Sequence, residues 1–244
     1  MVSWGVGRSL VERVNFDQFA EEYDQIHNQS ITLAGEESAF FTELKIRLLA
    51  DYFRNNTPRH VLDYGCGTGR AATFLHRYFP NIKYTGCDLS EQSIHQAQLQ
   101  NSHDSFFIVG KEPLTLLTQR YDLIIAAVVF HHIPLTERHA TLENLHASLS
   151  EGGYLVLFEH NPHNPLTRKV VRDCPFDKDA VLLTPRHAKT LLQNAGFTIE
   201  QLQYYFFYPK FLSFMRPTEK ILRKIPLGAQ YMLVAKKEQS NKNK

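Results

Sequence analysis

The sequence predicts an α/β protein built on a doubly wound, mostly parallel sheet. Three observations carry this reading. Short, nearly continuous apolar runs such as "VLDY" and "DLIIAAVVF" recur from residue 60 onward. Amphipathic stretches long enough for crossover helices separate them. The first run breaks into "GCGTG", a glycine turn where a strand should meet a helix. Strands covered on both faces read as unbroken apolar runs, whereas half-wet strands alternate.

The elements follow in order. Residues 16–53 repeat apolar side chains at helical spacing, first Phe16, Phe19, Ala20 and Tyr23, then Phe40, Leu44, Leu48, Leu49 and Phe53. "RNNTPRH" is a loop. Residues 60–64 are a strand, 69–79 a helix and "KYTGCD" a strand; Ser90 caps a helix running to about Gln100. "SFFIVG" and residues 121–129 are strands, 136–149 a helix and "GYLVLFE" a strand. Thr184 as N-cap, Pro185 at the first helical position and Gly196 beyond the end bracket the next helix. "FTIEQLQYYFFY" and "AQYMLVAKK" lack room for an ordinary helical crossover, so they are expected antiparallel to each other, with "PKFLSFMRPTEKILRKIPLG" as an inserted helical segment. The tail "KKEQSNKNK" is polar and expected to be disordered.

Composition narrows the function classes. The 244 residues suit one α/β domain with additions at its ends: a helical cap or lid over 1–57 and a core over 58–240. A net charge of +2 and the lack of an aromatic-basic stripe argue against nucleic acid. Three cysteines, an odd number lying in or near apolar runs, fit reduced thiols and a cytoplasmic location. The first residues mix Arg8, Glu12 and Arg13 into their apolar stretch, unlike a secretory signal. Leu123 to Phe130 is too short to span a bilayer.

The glycine turn is the sharpest signal. In open α/β sheets ligands bind beyond the carboxyl ends of the strands, where strand order reverses. Gly65 and Gly67 let backbone approach a ligand without an intervening Cβ. The dinucleotide fingerprint needs a small third residue, but Arg70 stands there, which disfavours a pyrophosphate. Asp88 closes the second strand nineteen residues after Gly69, placed to accept from both hydroxyls of an unphosphorylated ribose, since Ser90 serves as the helix cap. The expected ligand is a nucleoside without a diphosphate.

"VLDYGCGTGR", "GCDLS", "YDLIIAAVVFHHI" and "EGGYLVLFEH", in this order and spacing, resemble the class I S-adenosylmethionine-dependent methyltransferases, and within them the ubiquinone and type 11 small-molecule branch. The resemblance runs over about residues 58–160, and "FDQFAEEYD" at 16–24 is similar to that branch's lid helix. It implies a Rossmann-like, seven-stranded sheet with an antiparallel final strand, S-adenosylmethionine as cofactor and a small-molecule acceptor. It further implies that Asp63, Gly65, Cys66 and Gly67 line the methionine end, that Asp88 holds the ribose and that Leu89 packs on adenine. Ala126 and Ala127 would pass the methionine, with Tyr23 as the nearest lid residue. One departure stands out: the third strand leads to Gly110 and Lys111, where the family carries an acidic residue for adenine, leaving backbone or Glu112 for that contact.

Methyl transfer asks the protein for placement, and for a base only where the acceptor must lose a proton. His131, His132, Glu159, His160 and Asn161 end the fourth and fifth strands and are expected to converge on the crevice. His160 is the first candidate to meet the acceptor and His131 and His132 the next, which favours an oxygen acceptor and His-assisted deprotonation. No metal is expected, because Pro162 keeps His160 and His163 off one helical face. Arg168 and Arg172 either meet an anionic acceptor group or sit on a solvated basic helix. Phe211, Phe214, Met215 and Ile221 suit an apolar lid, with membrane contact through 209–225 as the second option. Two rival readings are a non-catalytic cofactor-binding protein and a nicotinamide oxidoreductase, the latter opposed by Arg70. The sequence is silent on oligomeric state.

Overall fold

The unbroken apolar runs become the centre of one sheet buried on both faces. The computed structural model describes residues 35–109, 120–177 and 179–239. Its strands are β1 (His60–Tyr64), β2 (Lys83–Asp88), β3 (Ser105–Ile108), β4 (Tyr121–Ala127), β5 (Leu149–His160), β6 (Phe197–Tyr205) and β7 (Gln230–Lys237). The described helices are α1 (Ser38–Tyr52), α2 (Arg70–Tyr78), α3 (Glu91–Gln100), α4 (Leu135–Ser148), α5 (Pro165–Asp173), α6 (Pro185–Asn194) and α7 (Glu219–Leu222). Neighbouring residues on a strand point to opposite faces. Leu62, Ile124 and Leu155 therefore join Leu142 and Leu192 in one core, while Val61, Leu123 and Val156 join Phe41, Leu49 and Leu75 in the other.

The strand order is β3-β2-β1-β4-β5-β7-β6. β1 pairs in parallel with β2 on one side and β4 on the other, so strand order reverses at β1 and a crevice opens at the carboxyl ends of β1 and β4. β7 runs antiparallel between β5 and β6, as expected for the final strand of this fold.

Element ends differ from expectation for local reasons. β4 stops at Ala127 because Val128 takes φ +62°. β5 begins at Leu149, four residues early, because its first residues pair with Tyr121 before the chain slips register. β6 stops at Tyr205 because the N–H groups of Phe206, Phe207 and Tyr208 turn onto the Glu219 carboxylate, at 3.2, 3.0 and 3.1 Å. The insert after β6 is a 3-10 segment, Lys210–Thr218, leading into α7. Its Phe211, Phe214 and Ile221 stand in solvent. The "NPHNP" stretch leads into α5, capped by Asn164, whose side chain accepts from the Thr167 N–H. Lys169 and Arg172 there are exposed and pair with Asp173, and Arg168 is exposed beside them. No described helix is long and apolar enough to cross a membrane. The expected helix over 16–34 with Tyr23, the Gly110–Glu112 stretch and the last five residues lie outside the described residues.

Candidate active site

The β1–α2 turn is built by the backbone. The Gly65 and Cys66 N–H groups both donate to the Cys87 carbonyl, at 2.8 and 3.0 Å, which pins the turn to the end of β2. Gly65 has φ +79°, and a Cβ there would lie 2.3 Å from Val129 Cγ2, so the tip of β4 leaves space only for glycine. Gly67 differs: at φ +54° its missing Cβ would meet no atom within 4 Å among the described residues, and its N–H donates to Asp88 Oδ2 at 2.9 Å. Asp88 Oδ1 accepts from the Ser90 N–H at 3.0 Å. Ser90 does cap α3, accepting from the Ser93 N–H at 3.1 Å, but this does not leave Asp88 to the ligand alone. Its carboxylate ties the turn to the α3 start, Oδ2 on the Gly67 N–H and Oδ1 on the Ser90 N–H. Leu89, next in sequence, is 65% exposed at the lip.

Asp63 lies beneath this turn, buried, with Oδ2 accepting from Tyr84 Oη at 2.9 Å. Burial raises its carboxyl to about 6 despite that hydrogen bond. Burial likewise pushes the Cys66 thiol well up, so it is a neutral wall of the turn. Lys45, on α1 between buried Leu44 and Ile46, was not legible as a site residue. It is half-buried, and burial lowers its ammonium to about 8 against the pull of Glu159 and Asp63. A cation inside an otherwise apolar helical stripe was the one available signal.

The β4 and β5 tips are built by side chains. Ala126 is buried and Ala127 half-buried beside β5. Val128 then holds a left-handed conformation that a β-branched residue rarely adopts, its N–H donating to the Phe158 carbonyl at 2.7 Å. Nothing in the sequence marks this strained position. The strand continues into a 3-10 turn, Phe130–His132. Glu159, fully buried, accepts from the Phe130 N–H at 2.8 Å and pairs with His131 Nδ1 at 2.7 Å. Burial alone would raise this carboxyl, but His131 and the Phe130 N–H hold it below the usual range. His131 is buried too, yet the charges of Glu159 and Asp177 raise it to about 9.

A third segment reaches this cluster from 175–181. The Val181 N–H donates to the His131 carbonyl at 2.8 Å. Buried Arg138 donates to the carbonyls of Ile133 and Val181, at 2.9 and 2.8 Å. These ties bring Asp177 Oδ1 to 3.4 Å from His131 Nε2 and 3.3 Å from His132 Nε2. Burial would raise the Asp177 carboxyl, but both histidines hold it well below the usual range.

His160 sits beside them, its ring centroid 5.3 Å from that of His131. Burial and the neighbouring His131 lower it to about 4, which keeps it neutral. Tyr205 donates to Gln230 Oε1 at 2.7 Å, and Gln230 Nε2 lies 3.4 Å from His160 Nδ1. With the amide so oriented, Nδ1 accepts and Nε2 carries the proton. His131, His132, Glu159 and His160 thus converge as expected. Asn161 does not: it is buried, and its Nδ2 holds the carbonyls of Pro226 and Gly228 at 3.1 and 2.8 Å.

Comparison with known proteins places this geometry. A family model described as a methyltransferase domain matches residues 36–202. Among curated relatives, a malonyl-[acyl-carrier protein] O-methyltransferase of Priestia megaterium is 26% identical over 152 residues, 62% of this chain and 51% of that one. A trans-aconitate 2-methyltransferase of Rhodopseudomonas palustris is 26% identical over 121 residues, 50% of this chain and 46% of that one. The matched stretch thus spans about half the length of these relatives. Among solved structures, a SAM-dependent methyltransferase of Archaeoglobus fulgidus aligns with TM-score 0.62 at 18% identity, over 82% of this chain and 95% of that one. The magnesium protoporphyrin IX methyltransferase of Synechocystis with bound SAH aligns with TM-score 0.63 at 18% identity, over 93% and 98%.

Proposed function

The chain belongs to the methyltransferase domain family, and from that premise we propose that it transfers a methyl group from S-adenosylmethionine to an oxygen of a small-molecule acceptor. The observation that carries this reading is the lip formed by Gly67, Asp88 and Leu89. No atom of the described residues lies within 4 Å of where a Gly67 Cβ would stand, the Asp88 carboxylate stands at the tip of β2 beside this turn as a ribose-binding acid would, and Leu89 offers exposed apolar surface to an adenine face. Asp63, buried with a raised carboxyl, suits the cationic end of the same ligand, because a positive group beside it would favour its ionised form.

When bound, this cofactor supplies an activated methyl and its own leaving group. The chain's residues supply placement. Gly65, Cys66 and Gly67 hold the methionine end against Asp63, with Ala126 and Ala127 leaving room at the β4 tip. His160, with its proton on Nε2, donates to an acceptor oxygen that is already ionised, as a carboxylate is, so attack on the methyl carbon leaves no proton to remove. His131 and His132 are engaged by carboxylates and position this wall of the site. The O-methyltransferase named among the relatives supports an oxygen acceptor.

Calorimetric titration with S-adenosylhomocysteine beside NAD tests the reading. Micromolar binding of the first alone, weakened about tenfold or more in Asp88→Asn by the lost charge-assisted hydrogen bonds, is expected. Absence of binding by the wild type, or equal binding of NAD, overturns it.

A further inference from the structure

We propose that His131, His132 and Asp177 form a binding site for a divalent transition-metal cation of the zinc class. One donor atom from each residue lies within 4.8 Å of those of the other two. Asp177 Oδ1 is the hub, 3.4 Å from His131 Nε2 and 3.3 Å from His132 Nε2. Tetrahedral ligands at about 2.0–2.1 Å from zinc stand about 3.3–3.4 Å apart, so these separations are already coordination edges. Two imidazole nitrogens and one carboxylate oxygen are donors that zinc accepts readily.

An independent observation points the same way. His131 is fully buried, and its Nε2 makes no hydrogen bond among the described residues. Its Nδ1 meets Glu159 Oε2 at 2.7 Å. The 3.4 Å between His131 Nε2 and Asp177 Oδ1 is bridged by no hydrogen bond, and a cation between them would take the place of the Nε2 proton and bind both, with the Nδ1–H still donated to Glu159.

The supporting shell matches what metal-bound histidines need. Glu159 fixes the His131 ring, and its second oxygen is anchored by the Phe130 N–H at 2.8 Å. Asp179 Oδ1 lies 3.6 Å from His132 Nδ1. The carboxylate hydrogen-bonded behind His131 fixes that ring as an outer-shell partner of a metal-bound imidazole does, and Asp179 lies behind His132 at a longer reach. The Val181 N–H on the His131 carbonyl and Arg138 on the Val181 carbonyl hold the Asp177 segment against the β4 turn, so the ligand set is preformed.

Three protein ligands leave one tetrahedral position open, as in catalytic rather than structural sites. His160 borders the cluster. On the methyl-transfer reading above, an acceptor oxygen would occupy that position. The cation would lower its pKa and keep it ionised as it attacks the methyl carbon.

The test uses the whole chain, stripped with a chelator and titrated with Zn2+ by calorimetry and Co2+ by visible absorption. One equivalent of each, with the intense bands of tetrahedral Co2+, is expected. Affinity should fall at least about tenfold in Asp177→Asn and His132→Gln, while His163→Gln, at an exposed position outside the cluster, titrates as wild type. No stoichiometric uptake by the wild type overturns the proposal, and so does uptake unchanged in both ligand variants. Should those variants fail to fold, X-ray absorption of the Zn2+-loaded wild type decides, since fewer than two imidazoles in its shell overturns it. S-adenosylhomocysteine binding, measured on the same samples, separates failure of this site from failure of the methyl-transfer reading.

Discussion

The two sides of the crevice are made differently. On the β1–β2 side, one turn and the start of the next helix suffice: Cys87 receives two backbone N–H groups, and Asp88 links Gly67 to Ser90. Its parts lie within about thirty residues, and its geometry comes from positive-φ glycines and main-chain bonds. On the β4–β5 side, buried ionisable groups from four segments meet: the β4 turn, the β5 tip, the 175–181 loop and, through Arg138, α4. The contrast teaches that this site couples a locally specified, rigid half to a half whose existence depends on tertiary contacts. Breaking the second half should cost stability, whereas altering the lip of the first should cost affinity.

Glu159→Ala is the strongest test of that contrast. It leaves the Phe130 N–H and His131 Nδ1 without their buried partner, and should lower unfolding stability by about 3–5 kcal/mol in urea titrations. A loss below about 1 kcal/mol would show that water replaces the carboxylate and that the β4–β5 side is less buried than it stands here.

Asp63 sharpens the comparison through pH. Its folded-state carboxyl, raised to about 6, lies above the ordinary aspartate value of 3.8. The folded state therefore binds more protons than the unfolded one across that window, and its contribution to stability falls as pH rises through it. Asp63→Asn should abolish this component. If ligand binding needs the ionised form, S-adenosylhomocysteine affinity should drop about tenfold from pH 7 to pH 5 in the wild type and stay flat in Asp63→Asn, read by calorimetry.

The smallest effect is expected at Leu89. It is 65% exposed, so Leu89→Ser should change stability by no more than about 0.5 kcal/mol. Affinity for S-adenosylhomocysteine should fall about fivefold, from lost apolar contact with adenine. A stability loss larger than the affinity loss would mean that Leu89 packs within the protein, and would undo the assignment of that lip to the ligand.

Much of this organisation could be read before folding. "VLDYGCGTGR" and "GCDLS" announce a turn whose glycines need positive φ, because a strand must enter a helix within a few residues there. The alternation of apolar runs with amphipathic stretches announces the parallel sheet, and the closing strands its antiparallel edge. "FHHI" and "FEH" mark the histidine cluster, because the tips of β4 and β5 adjoin in this topology.

Other features had no signature in the chain. Asp177 is an ordinary acid in a loop until Arg138 and the Val181 N–H draw it onto His131. Lys45 reads as one more helix former until α1 lays it near Asp63 and Glu159. Val128 looks like the continuation of β4 until the Phe158 carbonyl captures its N–H and φ turns positive. Asn161 looks like a crevice residue until it holds the segment at 226–228.

The division has one physical cause. The sequence by itself determined the sheet, the glycine turn and the acid at the tip of β2, because periodicity, chirality and backbone hydrogen bonding act over a few neighbouring residues. Only the tertiary structure decided which histidine faces which carboxylate. Burial sets the worth of a charge by what else is buried beside it, and those partners lie far apart along the chain.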